Sequence, residues 1–333
     1  MKAAFDGVDR EYLFFKLLDA GVSEKFVGLL RSMYRDTSAS VWTCDGCTES
    51  FPVRTGVRQG CPLSPVLFAI FINDLVNEMR HGVEVGQQVV SVLMYADDLV
   101  VLAETPEDMQ NNVDALEEYC RAWDLKVNMA KSTMMIFQNG GRRSSKEHWT
   151  FGGEEVEIVS EYIYLGVTLT PKLSFAKHVK RKAVAARNTL NYIWGSAFAS
   201  PEVPLRVKVR IFNAVVRAVL CYAAQVWGYH EYLAVERVLL LFVKRIFYLP
   251  QYAPAYLVLL ETELDTISAY TLRLHLHYIL KVAGMPDTRL PKILAREVIG
   301  AGIYWADNWR SMTSVHRLDD NLATLNVSLL KPM

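Results

Sequence analysis

The sequence predicts an α+β fold in its first 170 residues and an all-α fold after them. Before Pro171, short segments of alternating apolar and polar residues lie between helical patterns. After Pro171, apolar residues recur almost throughout at every third or fourth position, which is typical of amphipathic helices. Because strands and helices are mixed in the first part and helices alone fill the second, we place a domain boundary near Pro171.

The N-terminal elements are predicted to be two helices and a β-hairpin. Asp9 has a side chain suited to capping the first helix, and Ser23 suits the start of the second, which should extend to about Tyr34. The segment 39–53 is then expected to form a hairpin. Its turn is predicted at Asp45-Gly46, a dipeptide that favours tight two-residue turns.

A glycine-containing loop leads into a helix, with Ser64 as the expected N-cap, Pro65 in the first turn and an end near Arg80. The remaining predictions before Pro171 are strands at 89–94 and 99–103, a helix at 105–123, a strand within 126–137, a polar loop at 140–146 and strands near 156–158 and 162–169. After Pro171, helices are predicted at 175–192, 204–222 and 232–248.

Charge is distributed unevenly along the chain, although the formal net charge is zero. Between Pro171 and Pro250 there are thirteen Lys and Arg residues and three Asp and Glu residues, so this segment carries +10 and the rest of the chain carries −10. A basic segment of this kind can bind the phosphates of a nucleic acid. A helical domain with solvated basic faces is equally compatible with the charge pattern.

The five cysteines indicate neither a disulfide framework nor a complete zinc site. Cys44 and Cys47 form a CxxC pair, but no second pair at suitable spacing accompanies them, so we interpret them as residues flanking the hairpin turn. The sequence has no signal-peptide pattern and no apolar segment long enough to span a membrane. An intracellular location, in the nucleus or the cytoplasm, and no membrane partner are therefore expected.

Two adjacent carboxylates, Asp97 and Asp98, lie in the middle of the apolar segment SVLMYADDLVVLA. Unpaired carboxylates are costly to bury in a strand, but at a hairpin tip they can bind a divalent cation such as Mg²⁺, which prefers carboxylate and water oxygens. Aspartate is also common in exposed turns, and ADD alone would favour that interpretation. The preceding tyrosine and the following Leu-Val-Val favour metal binding.

The string GVRQGCPLSP at 56–65 precedes these carboxylates by about thirty residues. Its glycines allow a ligand to approach the backbone closely, and the N-terminus of the following helix favours anions. An ordinary loop-to-helix junction has the same features, so the glycines alone are weak support for a binding site. The whole ten-residue string is much more distinctive.

In order, the segments AFDGVDR, GVRQGCPLSP, YADD, NMAKS and YLGV resemble the motif series of reverse transcriptases. Their spelling is most similar to that of non-LTR (LINE-type) retrotransposon enzymes, over roughly residues 1–260. The resemblance implies a polymerase palm, with an antiparallel sheet packed on helices, at 1–170 and a helical thumb at 171–260. Residues 261–333 are then expected to be a C-terminal helical extension.

The resemblance implies roles for residues around the incoming nucleotide. Asp97 and Asp98 match the catalytic, metal-binding aspartates, of which Asp97 is the stronger candidate. Nucleotide contacts are implied for Phe5, as an aromatic gate that selects deoxynucleotides, and for the loop residues Gln59 and Gly60. Lys131 is a candidate proton donor to pyrophosphate. A core role for Phe5 and a solvated Lys131 remain alternatives.

The resemblance also implies contacts with the nucleic-acid strands. Tyr164, Leu165 and Gly166 resemble the primer grip. Phosphate contacts in the thumb are implied for basic residues on two helices, namely Lys177, Lys180, Arg181, Arg187, Arg206, Arg210 and Arg217.

The first motif departs from the family pattern. In reverse transcriptases it reads Asp-x-x-x-Ala-Phe-Asp, and its leading aspartate is the third catalytic carboxylate. Counted back from Phe5, that position falls immediately before Met1, and Asp6 is not expected to replace it. We therefore expect a truncated chain that lacks the fingers region and polymerises poorly or not at all.

The implied activity is RNA-directed DNA polymerisation, in which a primer 3′-hydroxyl attacks the α-phosphate of a deoxynucleotide, with Mg²⁺ or Mn²⁺ as cofactor. The expected partners are an RNA template, a DNA primer and deoxynucleoside triphosphates. Two other hypotheses remain open. One is a non-catalytic, nucleic-acid-binding remnant of such an enzyme, and the other is an unrelated helical scaffold with accidental motifs.

Overall fold

The computed structural model describes residues 4–138, 147–302 and 304–315. The loop predicted at 140–146 and residues 316–333 of the predicted C-terminal extension lie outside the described residues. Within the described part, the chain forms two compact units. Unit 1 comprises residues 4–134 and 147–159, and unit 2 comprises residues 135–138 and those from Ser160 onwards.

Unit 1 combines helices with short two-stranded ladders. Its helices are α1 (Arg10–Asp19), α2 (Glu24–Arg35), α3 (Ser64–Ile72), α4 (Leu75–Glu78) and α5 (Pro106–Ala122), followed by a 3₁₀ turn at Met129–Lys131. Its strands are β1 (Ser38–Ala39), β2 (Trp42–Thr43), β3 (Gly46–Cys47), β4 (Phe51–Pro52), β5 (Val83–Val85), β6 (Gln88–Val90), β7 (Val92–Tyr95), β8 (Asp98–Val101), β9 (Thr133–Met134), β10 (Thr150–Phe151), β11 (Glu154–Glu155) and β12 (Glu157–Ile158). The ladders β1–β4, β2–β3, β5–β6, β7–β8 and β10–β11 are antiparallel, whereas β9 and β12 run parallel.

The helix starts in unit 1 agree with local capping chemistry at two of three predicted positions. The Asp9 carboxylate accepts hydrogen bonds from the backbone N–H groups of Glu11 and Tyr12, and the Ser23 hydroxyl accepts one from Phe26. Ser64 was expected to cap α3, but Leu63 occupies the cap position. The Ser64 hydroxyl instead donates to the carbonyl oxygen of Arg58, so it ties the preceding loop to the helix.

Two other unit 1 predictions shift by small amounts. The turn of the β2–β3 hairpin consists of Cys44 and Asp45, because Thr43 already pairs with Gly46. The helix expected to reach Arg80 is interrupted at Asn73 and Asp74, which separate α3 from α4. Both differences change the position of a turn and leave the order of elements as predicted.

Unit 2 is a helical assembly preceded by one hairpin. The hairpin strands are β13 (Tyr162–Tyr164) and β14 (Val167–Leu169). The helices are α6 (Ala176–Tyr192), α7 (Leu205–Ile211), α8 (Arg217–Leu220), α9 (Ala224–Trp227), α10 (Leu233–Ile246), α11 (Ala255–Thr262), α12 (Ile267–Ala283), α13 (Leu290–Gly300) and α14 (Tyr304–Val315), with π-helical turns at Trp194–Phe198 and Phe212–Val216.

An aromatic cluster forms the centre of the unit 2 core. The ring of Phe242 on α10 stacks on Phe212 at 4.3 Å between centroids and meets Phe198 edge-on at 5.1 Å. Trp227 is fully buried in the same core. Burial of such rings is the main favourable term in the folding of a helical unit of this kind.

Candidate functional site

The two acidic residues lie at the tip of the β7–β8 hairpin. Tyr95 pairs with Asp98 across the ladder, so Ala96 and Asp97 form a two-residue turn. Ala96 has φ +52°, a conformation that suits the tight turns joining right-twisted strands. The hairpin is anchored because one face, formed by Val92, Met94, Leu99 and Val101, packs on the core of unit 1.

The register of the hairpin leaves both carboxylates in solvent. Directly opposite residues share a face, so Asp98 lies on the outer face with Tyr95, and Asp97 lies in the turn itself. Both are exposed. Two adjacent carboxylates supply hard oxygen donors, and Mg²⁺ is often bound by one or two carboxylates together with waters and substrate phosphates. Within the described ranges, no cluster of three metal-ligating side chains is found.

The glycine-containing loop is packed directly against the segment that carries Phe5. The backbone N–H of Gly56 donates to the Val8 carbonyl at 2.8 Å, and that of Val57 donates to the Phe5 carbonyl at 2.8 Å. A Cβ at Gly56 would lie 2.8 Å from the backbone of Asp6, and Gly56 has φ +83°. Only glycine satisfies both conditions, which explains the residue type at this position.

The predicted nucleotide-contacting residues are distributed around this loop. The Gln59 side-chain amide donates to both carboxylate oxygens of Asp6, at 2.8 and 3.0 Å. Gly60 has φ +80° and open space where a Cβ would be. Phe5 is half-buried and stacks on Phe68 at 4.9 Å, so it has both a packing role and a partly exposed ring.

Arg10 holds the loop in place and was not singled out from the sequence. Its guanidinium donates to the carbonyl oxygens of Gly56 at 3.0 Å, Val53 at 2.9 Å and Thr55 at 3.2 Å. It also donates to the Tyr34 carbonyl at 3.1 Å. One planar donor fork therefore fixes several loop carbonyls at once, a task for which arginine is well suited.

The carboxylate hairpin and the glycine loop rest on one hydrophobic core. Val57 and Phe68 are buried in that core, and Phe5 and the inner face of β7 and β8 pack against it. Lys131 ends a 3₁₀ turn and is exposed, so its packing does not distinguish a nucleotide contact from a solvated lysine.

The predicted primer-grip residues occupy the turn of the β13–β14 hairpin in unit 2. Leu165 and Gly166 form this turn with φ of +46° and +76°. The Tyr222 hydroxyl donates to the Leu165 carbonyl at 2.8 Å, and a Cβ at Gly166 would lie 2.9 Å from the Tyr222 ring. Tyr222 therefore forms a strut beneath the turn, a contact that sequence spacing does not reveal.

His178 on α6 links the same hairpin to Tyr222. Its Nδ1 accepts a hydrogen bond from the Thr168 N–H at 3.2 Å, so Nε2 carries the proton and donates to the Tyr222 carbonyl at 3.2 Å. The Lys182 ammonium lies 4.2 Å from the centroid of the Tyr222 ring. Burial lowers the pKa of His178, which favours the neutral ring that this pattern requires.

The residues predicted to contact phosphates differ in whether their charges are already paired with a carboxylate. Lys177 and Arg181 both form ion pairs with Glu161, at 3.1 and 2.8 Å. The hydrogen bond from Lys177 lowers the pKa of the Glu161 carboxyl, and Arg181 acts in the same direction. The other exposed cations of this set have no carboxylate partner among the described residues; they are Lys180, Arg187, Arg206 and Arg210.

Arg217 does not continue the exposed face of Arg206 and Arg210. Its guanidinium lies 4.0 Å from the Tyr270 ring centroid, and its Nε is buried. The physical reason is the π-helical turn at Phe212–Val216, which adds about one residue per turn and so rotates the following residues around the helix. Helical spacing alone, which assumes a regular α-helix, places Arg217 with the other two.

Two exposed, adjacent carboxylates at a hairpin tip offer the oxygen donors that can bind metal ions of the kind used by nucleotide-transferring enzymes. The chain belongs to the reverse transcriptase family: the family model described as reverse transcriptase (RNA-dependent DNA polymerase) matches residues 1–169. The chain is therefore a member of the RNA-directed DNA polymerase family. Its relatives belong to non-LTR retrotransposons.

Three relatives illustrate the similarity. The RNA-directed DNA polymerase from mobile element jockey of Drosophila funebris is 30% identical over 236 residues, covering 68% of this chain and 25% of that protein. Its Drosophila melanogaster counterpart is 28% identical over 191 residues, 55% of this chain and 20% of that protein. The Pol polyprotein from the type-2 retrotransposable element R2DM of Drosophila melanogaster is 28% identical over 180 residues, 50% of this chain and 17% of that protein. The chain thus spans a quarter or less of these relatives.

In the part of the chain that the structure describes, no helix is both long enough and apolar enough to cross a membrane.

Proposed function

We propose that this chain is the palm and thumb of a non-LTR retrotransposon reverse transcriptase, with Asp97 and Asp98 as its metal-binding carboxylates. The reaction is RNA-templated addition of deoxynucleotides to a DNA primer. The primer 3′-oxygen forms a bond to the α-phosphorus, and the bond between that phosphorus and the bridging oxygen breaks, so that pyrophosphate leaves.

The observation that carries the proposal is the position of the acids at an exposed turn on an anchored hairpin. Val92, Met94 and their partners fix the strands on the core, so Asp97 and Asp98 are held at a defined place although their side chains are in solvent. When bound there, Mg²⁺ or Mn²⁺ supplies charge stabilisation for the attacking and leaving oxygens. The two residues fit this task because they offer adjacent carboxylate oxygens, the donors that Mg²⁺ prefers.

The loop residues are proposed to shape the nucleotide site. Phe5 is braced by Phe68 and by the Val57 N–H on its carbonyl, so its partly exposed ring can lie against a sugar and exclude a 2′-hydroxyl. Gln59 is oriented by Asp6, and the open space at Gly60 allows a base or phosphate to approach the backbone. Lys131 is proposed as the proton donor to pyrophosphate.

Unit 2 is proposed to hold the nucleic-acid strands. The Tyr164-Leu165-Gly166 turn is braced by Tyr222 and would support the primer end. The exposed cations of α6 and α7 would contact phosphates, which gives affinity without sequence selection. Lys177 and Arg181 are available for this role only when Glu161 releases them.

The test is primer extension on an RNA template by the purified chain with Mg²⁺. The Asp97→Ala change should lower the rate by at least about 100-fold, because a lost metal ligand is worth several kcal/mol of transition-state stabilisation. Asp45→Ala is the matched control, since Asp45 is also the second residue of a two-residue hairpin turn in unit 1. It should leave the rate unchanged.

Equal rates for the Asp97→Ala variant and the unaltered chain would refute the catalytic assignment. A chain that binds an RNA–DNA hybrid but extends no primer, with or without Asp97, would favour the second hypothesis, a non-catalytic nucleic-acid-binding remnant.

A further inference from the structure

Three tyrosine rings project into solvent where α10 passes into α11. Tyr248 is 91% exposed and Tyr252 is 88% exposed, and Tyr256 follows in the first turn of α11, also exposed. None of their hydroxyls has a hydrogen-bond partner among the described residues. Large aromatic rings contribute to folding by being buried, so these three contribute little to the stability of unit 2.

The segment that carries the rings is nevertheless held in a defined shape. The Leu249 N–H donates to the Lys244 carbonyl at 2.7 Å, and the Ala253 N–H donates to the Pro250 carbonyl at 3.0 Å. The Lys244 ammonium donates to the Gln251 carbonyl at 2.7 Å. Tyr248 itself has φ +53°, which is unfavourable for a bulky side chain. The fold thus maintains a strained backbone that presents a ring to solvent.

A fourth exposed ring is joined to this segment through the end of α6. The Arg245 guanidinium donates to the Asn191 side-chain oxygen at 2.9 Å and lies 3.9 Å from the centroid of Trp194. These contacts bring the C-terminal ends of α6 and α10 together. Tyr192, the neighbour of Asn191, is 90% exposed. We call Tyr192, Tyr248, Tyr252 and Tyr256 the tyrosine surface.

The chain around the tyrosine surface carries a net positive charge, although Glu202, Glu236 and Glu261 directly flank its two segments. Residues 237–260 contain Arg237, Lys244 and Arg245 and no acidic residue, and residues 182–201 contain Lys182 and Arg187 and no acidic residue. Among the described residues, neither Lys244 nor Arg245 forms an ion pair with a carboxylate; their polar contacts are to Gln251 and Asn191. The local field therefore favours an anionic partner.

We infer that the tyrosine surface binds single-stranded nucleic acid by stacking unpaired bases on its rings, while the neighbouring cations attract the phosphates. Flat rings combined with positive charge match such a strand in both respects, since every base has a face that can stack and every nucleotide carries a phosphate. A duplex fits less well because its bases are already stacked on each other. The inference deepens the proposed function, on which it rests for its biological setting, by adding a site for the unpaired strand.

The experiment measures fluorescence anisotropy of labelled twelve-nucleotide dT and rU oligomers in EDTA, so that metal binding at Asp97 plays no part. The double variant Tyr248→Leu with Tyr252→Leu should bind about ten-fold or more weakly, because each lost stack costs affinity. The double Tyr→Phe variant keeps both rings and should bind within about two-fold of the unaltered chain. Trp42→Leu, which removes an 84% exposed ring from a unit 1 hairpin, is the matched control and should have no effect.

Unchanged affinity of the double Leu variant would overturn the inference, and so would an equal loss in the double Phe variant. The loss should be shared by the dT and rU oligomers, since stacking does not involve the 2′-hydroxyl; a loss confined to one of them contradicts stacking. If the Leu variant instead alters the sedimentation of the chain and leaves oligomer binding unchanged, the surface is a contact between copies. Because primer extension tests Asp97 separately, each proposal can fail without the other.

Discussion

Lys16 is a buried lysine whose three protons all have acceptors. Its ammonium donates to the Phe71 carbonyl at 2.7 Å, the Asp74 carboxylate at 2.8 Å and the Tyr119 hydroxyl at 2.6 Å. It also lies 3.7 Å from the centroid of the Trp123 ring. Burial lowers the pKa of Lys16, and the hydrogen bond to Asp74 opposes this shift. The charge is therefore tolerated only because every donor is paired.

Replacing Lys16 with methionine should lower the free energy of unfolding by about 2 kcal/mol, because Asp74 and the Phe71 carbonyl each lose a charge-assisted hydrogen bond and keep only the single Tyr119 hydroxyl between them. Arg121→Met is the control. Arg121 pairs with Glu117 on the surface of α5, where an exposed ion pair is worth less than about 1 kcal/mol. Urea denaturation of both variants measures the difference, and similar losses would contradict the role given to Lys16.

His275 is a buried histidine that remains neutral in the folded state. Its Nδ1–H donates to the Gln225 carbonyl at 2.6 Å, and Tyr229 and Trp309 lie beside the ring. Burial lowers the pKa of His275 to about 4, and the nearby His230 acts in the same direction. The unfolded chain therefore takes up a proton at a higher pH than the folded chain does.

The sign of the resulting pH dependence follows from this depressed pKa. The stability contribution is complete above about pH 6.5, where unfolded histidine is neutral, and is lost as the pH falls towards 4, by about 3 kcal/mol in all. We expect the thermal midpoint to fall over this range, and the fall to be shallower in His275→Gln. His277→Gln, an exposed position on the same helix, should leave the pH dependence unaltered. An equal effect of both variants would contradict the assignment.

At the scale of elements, the two hairpins proposed to be functional are supported differently. The β7–β8 hairpin is anchored by apolar side chains on one face, whereas the β13–β14 turn is held by a hydrogen bond from Tyr222 on the chain segment after α8. Apolar anchoring tolerates small changes of side chain. Support by a single hydrogen bond does not tolerate such changes, because removing the Tyr222 hydroxyl removes the contact.

Tyr222→Phe should therefore lower the free energy of unfolding by about 1 kcal/mol and raise the KM for the primer–template several-fold, with a smaller effect on kcat. Gly166→Ala should also lower the free energy of unfolding and raise this KM, because its Cβ would lie 2.9 Å from the Tyr222 ring. Tyr278→Phe is the control, since the Tyr278 hydroxyl has no hydrogen-bond partner among the described residues. An unaltered KM in the first two variants would contradict the role of Tyr222 in supporting the primer-grip turn.

At the scale of the whole molecule, a net charge of zero conceals a strongly basic segment. Four predicted phosphate contacts, Lys180, Arg187, Arg206 and Arg210, are exposed, and the described residues offer them no carboxylate. Binding to an RNA–DNA hybrid should therefore weaken with salt, with a slope of roughly −3 to −4 in a plot of log K against log salt.

The same measurement on Glu161→Gln should give a steeper slope, by roughly one to two, because Lys177 and Arg181 are released from their ion pairs. Glu157→Gln removes the same charge from an exposed position outside this cluster and should not steepen the slope. A slope near zero in the unaltered chain would contradict the proposal that unit 2 acts as a thumb that contacts phosphates.

Features set by neighbouring residues were predictable from the sequence. The caps at Asp9 and Ser23, the exposed turn at Asp97 and the change to helices after residue 171 depend on side-chain chemistry and periodicity within a few residues. The family membership was recognisable for a similar reason, because its motifs are short and ordered along the chain.

Contacts between distant residues were decided only by the tertiary structure. Lys16 donates a hydrogen bond to Phe71, Arg10 donates one to Gly56, and Tyr222 donates one to Leu165, which lies 57 residues earlier in the sequence. The π-helical turn before Arg217, which interrupts the regular helical spacing, likewise does not follow from periodicity in the sequence. Periodicity reports which face of an element is apolar, but packing selects the partner that this face meets, and that selection depends on the whole chain at once.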